Sequence, residues 1–163
     1  AEERRLLKPR LAIADRVVDT SDSNSHPLRR LVITALGLTA GEMTLLFESF
    51  AYRRGVPTDA DFVFDARCLA NPHWEAKLRP LSGKDMPVRE WLEGKPEVAQ
   101  FGNDLSAFLD AWLPRFEADG RSYVTICIGC TGGRHRSVYL AGKLAEHFRQ
   151  GYGEGLAFHR GRE

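Results

Sequence analysis

The chemistry most legible in this chain lies in the run Gly129-Cys130-Thr131-Gly132-Gly133-Arg134-His135-Arg136-Ser137. An apolar, β-branched run precedes it and a run with helical spacing follows. Gly132 and Gly133 let the backbone turn tightly, with N–H groups facing inward. A helix beginning there adds the positive end of its dipole. Arg134 and Arg136 bring fixed charge, and a guanidinium fork suits phosphate oxygens. Thr131 and Ser137 bring hydroxyls. Such a set captures a dianion, above all phosphate. The plainer alternative is a solvated glycine turn with two surface arginines.

Two further patterns overlap this loop. Cys130, five residues, then Arg136-Ser137 matches the spacing of cysteine phosphatases, in which a thiolate attacks phosphorus. That chemistry also needs a general acid. Asp59, Asp61, Asp65 and Asp85 are candidates that sequence cannot place. Cys127 and Cys130 form a Cys-x-x-Cys pair, but zinc needs two more ligands and no second pair exists. A redox pair belongs at a helix start, whereas Cys127 falls inside an apolar strand. No metal is expected, and Cys68 reads as a buried strand residue.

A second polar cluster, Asp65, Arg67, Asn71, Pro72, His73 and Trp74, follows another strand-like run. Ligands of open α/β sheets bind beyond the carboxyl ends of strands, which puts this cluster near the same rim. His73 is placed to donate to a sugar or phosphate oxygen, or else is structural. Lys77 to Lys84 reads as a mobile lid or an ordinary connection.

The elements that must hold these groups are strands over 43–50, 61–69 and 122–129, nearly apolar throughout. Such strands suggest a sheet covered on both faces. Val98, Phe101, Leu105, Leu109, Trp112 and Phe116 form a helical stripe between Pro96 and Gly120. Val138, Ala141, Leu144 and Phe148 form another, closed by Gly151. A last strand is expected over 156–159. The order predicts an α/β fold, a mostly parallel sheet flanked by helices with a strand–glycine loop–helix phosphate site. Ahead of it, Arg16 to Thr20 reads as a strand and the residues after Pro27 as a helix.

Composition narrows the function. The chain has 163 residues, 43% of them hydrophobic and 28% charged, which argues against global disorder. Lys and Arg number 23 against 22 Asp and Glu, a net charge of +1 that excludes a strongly basic nucleic-acid binder by bulk charge. The charge is uneven, however. Residues 96–120 hold one arginine against five carboxylates, whereas the carboxy end is basic and includes Arg160 and Arg162 as RNA-backbone candidates. The longest apolar stretch is about half of the ~20 residues a membrane span needs, and no membrane partner is expected. No signal peptide is visible, and three cysteines point to a reducing cytoplasm. Neither Gly-x4-Gly-Lys-Ser/Thr nor a dinucleotide fingerprint occurs.

An ordered set of segments resembles the carboxy-terminal domain of the bacterial RapZ/YvcJ family. They are Leu46 to Phe50, Asp59 to Arg67, Asn71 to Trp74, Lys77 to Pro80 and Ile128 to Tyr139. The resemblance implies a fold similar to a phosphofructokinase subdomain, over 39–163. Residues 1–38 would be the tail of an amino-terminal P-loop domain, and ATP or GTP is expected only with that domain. The best-known members are nucleotide-binding adapters that present small RNA to an endoribonuclease and sense glucosamine-6-phosphate. Their carboxy-terminal domain carries RNA binding and self-association, so a homo-oligomer is implied. Carried over by position, His73, Thr131, Gly132 and Arg136 would line a phosphorylated ligand. Cys130, Gly133, Arg134, His135 and Ser137 would shape the loop, with Asp65, Arg67 and Asn71 as secondary candidates. No catalytic residue is implied. The tail Phe158 to Glu163 departs from the enteric adapters in lacking a dense lysine cluster.

Overall fold

Four strands assemble into one sheet in the order β2-β3-β1-β4, every neighbouring pair parallel. They are β1 (Thr44–Ala51), β2 (Phe62–Asp65), β3 (Tyr123–Cys130) and β4 (Leu156–His159). The computed structural model describes residues 43–149, 151–152 and 156–159. The strand expected at Arg16, the helix expected after Pro27, and Arg160 and Arg162 all lie outside the described residues.

The central pair is β1 and β3, in register from Thr44 opposite Tyr123 to Ala51 opposite Cys130. Both strands therefore end at one rim, Ala51 beside Cys130. Their helix-facing side chains are apolar: Leu45, Phe47, Val124, Ile126 and Ile128 are all fully buried. Removing such side chains from water is the main stabilising term, about 1.5–3 kcal/mol each.

Three helices complete the layer: α1 (Met86–Glu93), α2 (Pro96–Ala118) and α3 (Arg136–Phe148). Helix α3 packs on β1 and β3, and its Phe148 ring stacks on Phe47 at 5.8 Å. Helix α2 sets Phe108 and Phe116 edge-on against Phe62 of β2, with centroids 5.6 and 5.5 Å apart. The stripe expected on α3 is the buried face, whereas on α2 Val98, Leu105 and Leu109 are buried, Phe101 and Phe116 partly so, and Trp112 is 44% exposed.

Two expectations need correction. The run 61–69 is not one strand. β2 stops at Asp65, whose carboxylate accepts the Arg67 N–H at 2.9 Å and caps a 3-10 turn over Ala66–Cys68. Cys68 is consequently exposed, not buried. Among the described residues β2 is the end strand of the sheet, and its Val63 is 40% exposed. Helix α1, unforeseen, begins where Asp85 accepts the Ser82 N–H at 2.7 Å.

Candidate functional site

β3 delivers Cys130 to the rim, and α3 leaves it at Arg136, so residues 131–135 form a five-residue loop over the end of the sheet. Gly133 is what lets that loop lie down. Its φ is +65°, and a Cβ there would come within 2.9 Å of the Ala51 nitrogen. Only glycine fits a left-handed residue pressed this closely on β1. His135, the N-cap residue of α3, makes no side-chain cap hydrogen bond, and a helix amino end of this kind is suited to an anion.

The loop is clamped from two sides. Arg134 donates from Nε to the Leu81 carbonyl at 2.8 Å and from Nη2 to the Pro80 carbonyl. The Gly83 N–H donates to the Arg134 carbonyl at 2.9 Å. His135 Nε2 lies 3.2 Å from the Leu78 carbonyl; a carbonyl only accepts, so Nε2 carries the proton. Burial is the main reason the His135 pKa lies below its ordinary value, and the charge of Arg134 acts the same way. The 77–84 segment, expected as a mobile lid or plain connection, is thus fastened to the loop. A Cβ on Gly83 would collide with the His135 carbonyl at 2.2 Å.

On the other side, Arg136 Nη1 donates to the carbonyls of Arg67 and Leu69, each at 2.9 Å. Arg136 is only 4% exposed, and its Nε is buried with no hydrogen-bond partner among the described residues. A buried, unpaired guanidinium N–H is costly, and an acceptor brought by a ligand would relieve it.

A cavity of about 720 Å³ opens over this arrangement. Cys130, Thr131, Gly132, Arg134, His135 and Arg136 line one side. Asn71, His73 and Trp74 line another, with Ala76, Arg79 and Pro80; Arg53 completes the wall. Asn71 accepts the His73 N–H at 3.2 Å, which fixes the turn carrying His73 and Trp74. Arg79 Nε donates to the His73 carbonyl at 3.0 Å. Trp74 is 77% exposed at the mouth. Among the described residues, four arginines and two histidines face this space, and no carboxylate does.

Some expected site residues do not reach the cavity. Gly133 is spent on packing against Ala51. Ser137 is fully buried behind Cys130, its Oγ 3.1 Å from Sγ. Asp65 and Arg67 pair with each other at 2.7 Å, and the Arg67 guanidinium lies 3.8 Å over the Tyr52 ring. That pairing, chiefly the Arg67 hydrogen bond, holds the Asp65 pKa below its usual value. Asp61 is committed to Arg121 at 3.0 Å and Asp85 to Ser82, and neither they nor Asp59 line the cavity. The carboxyl general acid that cysteine-phosphatase chemistry requires is therefore missing from the lining. Sequence reasoning missed Arg53 and gave Arg79 no role. Arg53 follows β1, the neighbour of β3, which is the signal that would have found it.

Burial raises the Cys130 pKa. The Ser137 hydroxyl and amide, the Arg136 charge and the Arg134 amide together outweigh it, and the thiol lies below its ordinary range. Cys127 faces the opposite side of β3, and its Sγ donates to Glu48 Oε2 at 3.5 Å. Among the described residues, no three metal-ligating side chains converge and no helix is long and apolar enough to cross a membrane.

Residues 43–163 match the protein family described as the RapZ C-terminal domain. Over 162 residues the chain is 55% identical to a protein named as nucleotide-binding from Xylella fastidiosa (strain M23), covering 98% of this chain and 56% of that one. It is likewise 55% identical over 160 residues to one from Xanthomonas campestris pv. campestris (strain B100), covering 97% and 57%. The chain thus spans about half the length of these curated relatives.

Proposed function

The chain belongs to the RapZ C-terminal domain family, and on that premise we propose that its rim cavity binds a phosphorylated small molecule of the amino-sugar phosphate class, such as glucosamine-6-phosphate, in a regulatory role. One observation carries this reading: among the described residues, four arginines and two histidines face the cavity and no carboxylate does. A dianion is the ligand that such a wall stabilises most. The glycine loop and the start of α3 would supply backbone N–H donors to the phosphoryl group. The buried Nε of Arg136 would gain an acceptor. The turn with His73 and Trp74 would meet the sugar, since an exposed indole beside a polar donor suits a ring with one apolar face.

The role is binding rather than turnover. The cavity holds a thiol and an arginine in phosphatase order, but among the described residues no carboxyl group that would act as the usual general acid. Thermal unfolding tests the proposal with glucosamine-6-phosphate, glucose-6-phosphate and inorganic phosphate as titrants. A ligand held at a hundredfold over its Kd stabilises by about 2.7 kcal/mol. No shift with any of the three would overturn the reading.

The wider task we propose is that of the family's adapters: contact with small RNA, presentation to an endoribonuclease, self-association and action in the cytoplasm. The part of the protein that this chain does not span would handle ATP or GTP. Arg53 and Arg79 of the cavity wall are themselves exposed, which favours contact with a nucleic-acid backbone. RNA affinity should then fall steeply with salt, and a flat log–log slope would count against this wider role.

A further inference from the structure

We propose that Cys130 is a peroxide-sensitive thiol whose oxidation closes the cavity to anions. The inference rests on the anion-site reading above and adds a means of switching it off.

The three cysteines sit in three different settings. Cys127 is buried in the sheet and donates to Glu48. Cys68 is exposed, 3.8 Å from the Asp65 carbonyl, with no cation directed at it by a hydrogen bond. Cys130 alone lines the cavity. It is only 3% exposed, so a bulky reagent is hindered, but the cavity leads a small oxidant to its sulfur.

Around that sulfur the geometry favours the thiolate. The Ser137 hydroxyl, 3.1 Å away and fully buried, is positioned to donate. The amides of Ser137 and Arg134 lower the pKa of the same thiol. Arg136, 96% buried with an unpartnered Nε, supplies the charge. Among the described residues, no carboxylate faces the cavity to repel an anion. These conditions make thiolates reactive at helix amino ends beside arginine.

The reaction balances without any further group. The thiolate attacks one oxygen of hydrogen peroxide, an S–O bond forms and the O–O bond breaks. The second oxygen leaves as hydroxide and takes the proton the thiol gave up, so the products are a sulfenic acid and water. Sulfur loses two electrons and peroxide gains them. An added thiol reverses the step through a mixed disulfide. The new oxygen would occupy the floor of the cavity and take up the donors that a phosphoryl group needs.

The test exposes the folded 163-residue chain to limiting hydrogen peroxide, then unfolds it in the presence of a sulfenic-acid trap so that burial does not limit labelling, and reads the labelled residue by mass spectrometry. Cys130 should be labelled about tenfold faster than Cys68, as its thiolate character dictates. Saturating inorganic phosphate should slow labelling at Cys130 and leave Cys68 unchanged. Peroxide-treated protein should lose phosphate binding and regain it after dithiothreitol, and Cys68→Ser should behave like the parent. Labelling of Cys130 no faster than Cys68 overturns the proposal while leaving the anion site standing. So does phosphate binding that survives complete oxidation of Cys130. Untreated protein that binds no phosphate overturns the anion site itself, and the proposal with it.

Discussion

Arg136 and Leu69 lie 67 positions apart, yet the guanidinium of the first donates to the carbonyl of the second at 2.9 Å. The same nitrogen also reaches the Arg67 carbonyl. One side chain thus ties the turn after β2 to the start of α3 and still presents a buried, unpaired Nε beside the cavity. Structural fastening and anion capture meet in this residue.

Arg136→Ala should therefore fail twice. The buried Leu69 carbonyl and the part-buried Arg67 carbonyl lose their donor, which costs about 1–3 kcal/mol for the buried one and less for the other, as measured by urea unfolding. Phosphate binding should disappear as well. Arg136→Lys should recover much of the stability but little of the binding, because an ammonium lacks the planar fork. Equal recovery of both would mean that Arg136 acts as a point charge only.

Neighbouring glycines should respond differently. Gly133→Ala forces a Cβ to 2.9 Å from the Ala51 nitrogen at a φ of +65°. It should destabilise the domain by at least about 1–3 kcal/mol. A Cβ on Gly132 meets nothing within 4 Å, so Gly132→Ala should leave stability within about 0.5 kcal/mol of the parent. Similar unfolding midpoints for the two variants would refute this account of the loop.

His135 gives the fold a pH dependence with a definite sign. Its folded pKa lies below the unfolded value because it is buried, so the unfolded chain binds the proton first. Stability should be complete above about pH 6.5 and decline as pH falls toward the folded pKa. His135→Gln, which keeps a donor for the Leu78 carbonyl, should flatten that part of the profile. An unchanged slope in the variant would show that other groups produce it.

Aryl phosphate hydrolysis should stay at background for the parent chain and for Cys130→Ser alike. The cavity lacks a carboxyl general acid, so the Cys130-x5-Arg136 spacing has no partner to complete it. Turnover by the parent that the variant abolishes would restore the phosphatase reading.

The sequence made the central elements legible because their signals are local. Apolar runs marked β1 and β3, and glycine pairs and arginines marked the loop between β3 and α3. β2 was overextended because nothing in the run 61–69 shows that the Asp65 carboxylate turns back to cap Arg67. The misplacement of Cys68 followed from the same error. The nine-residue motif mixed two roles that only packing separates: Arg134 and Arg136 face the cavity, whereas Gly133 and Ser137 lie beneath it. Arg53 and Arg79 escaped notice because sheet order and the fastened 77–84 segment, not spacing in the chain, bring them to the wall. Arg53 reaches the loop only through its N–H, 3.5 Å from the Thr131 carbonyl.

The central claim is that the cavity over the end of β3 takes a phosphoryl group. Titration of the isotope-labelled chain with inorganic phosphate and with glucosamine-6-phosphate, followed through its amide resonances, tests it most directly. Saturable shifts should concentrate on the amides from Thr131 to Ser137, and the sugar phosphate should also move the Trp74 indole. Amides that remain still while others shift, or no saturable shift at all, would contradict the account.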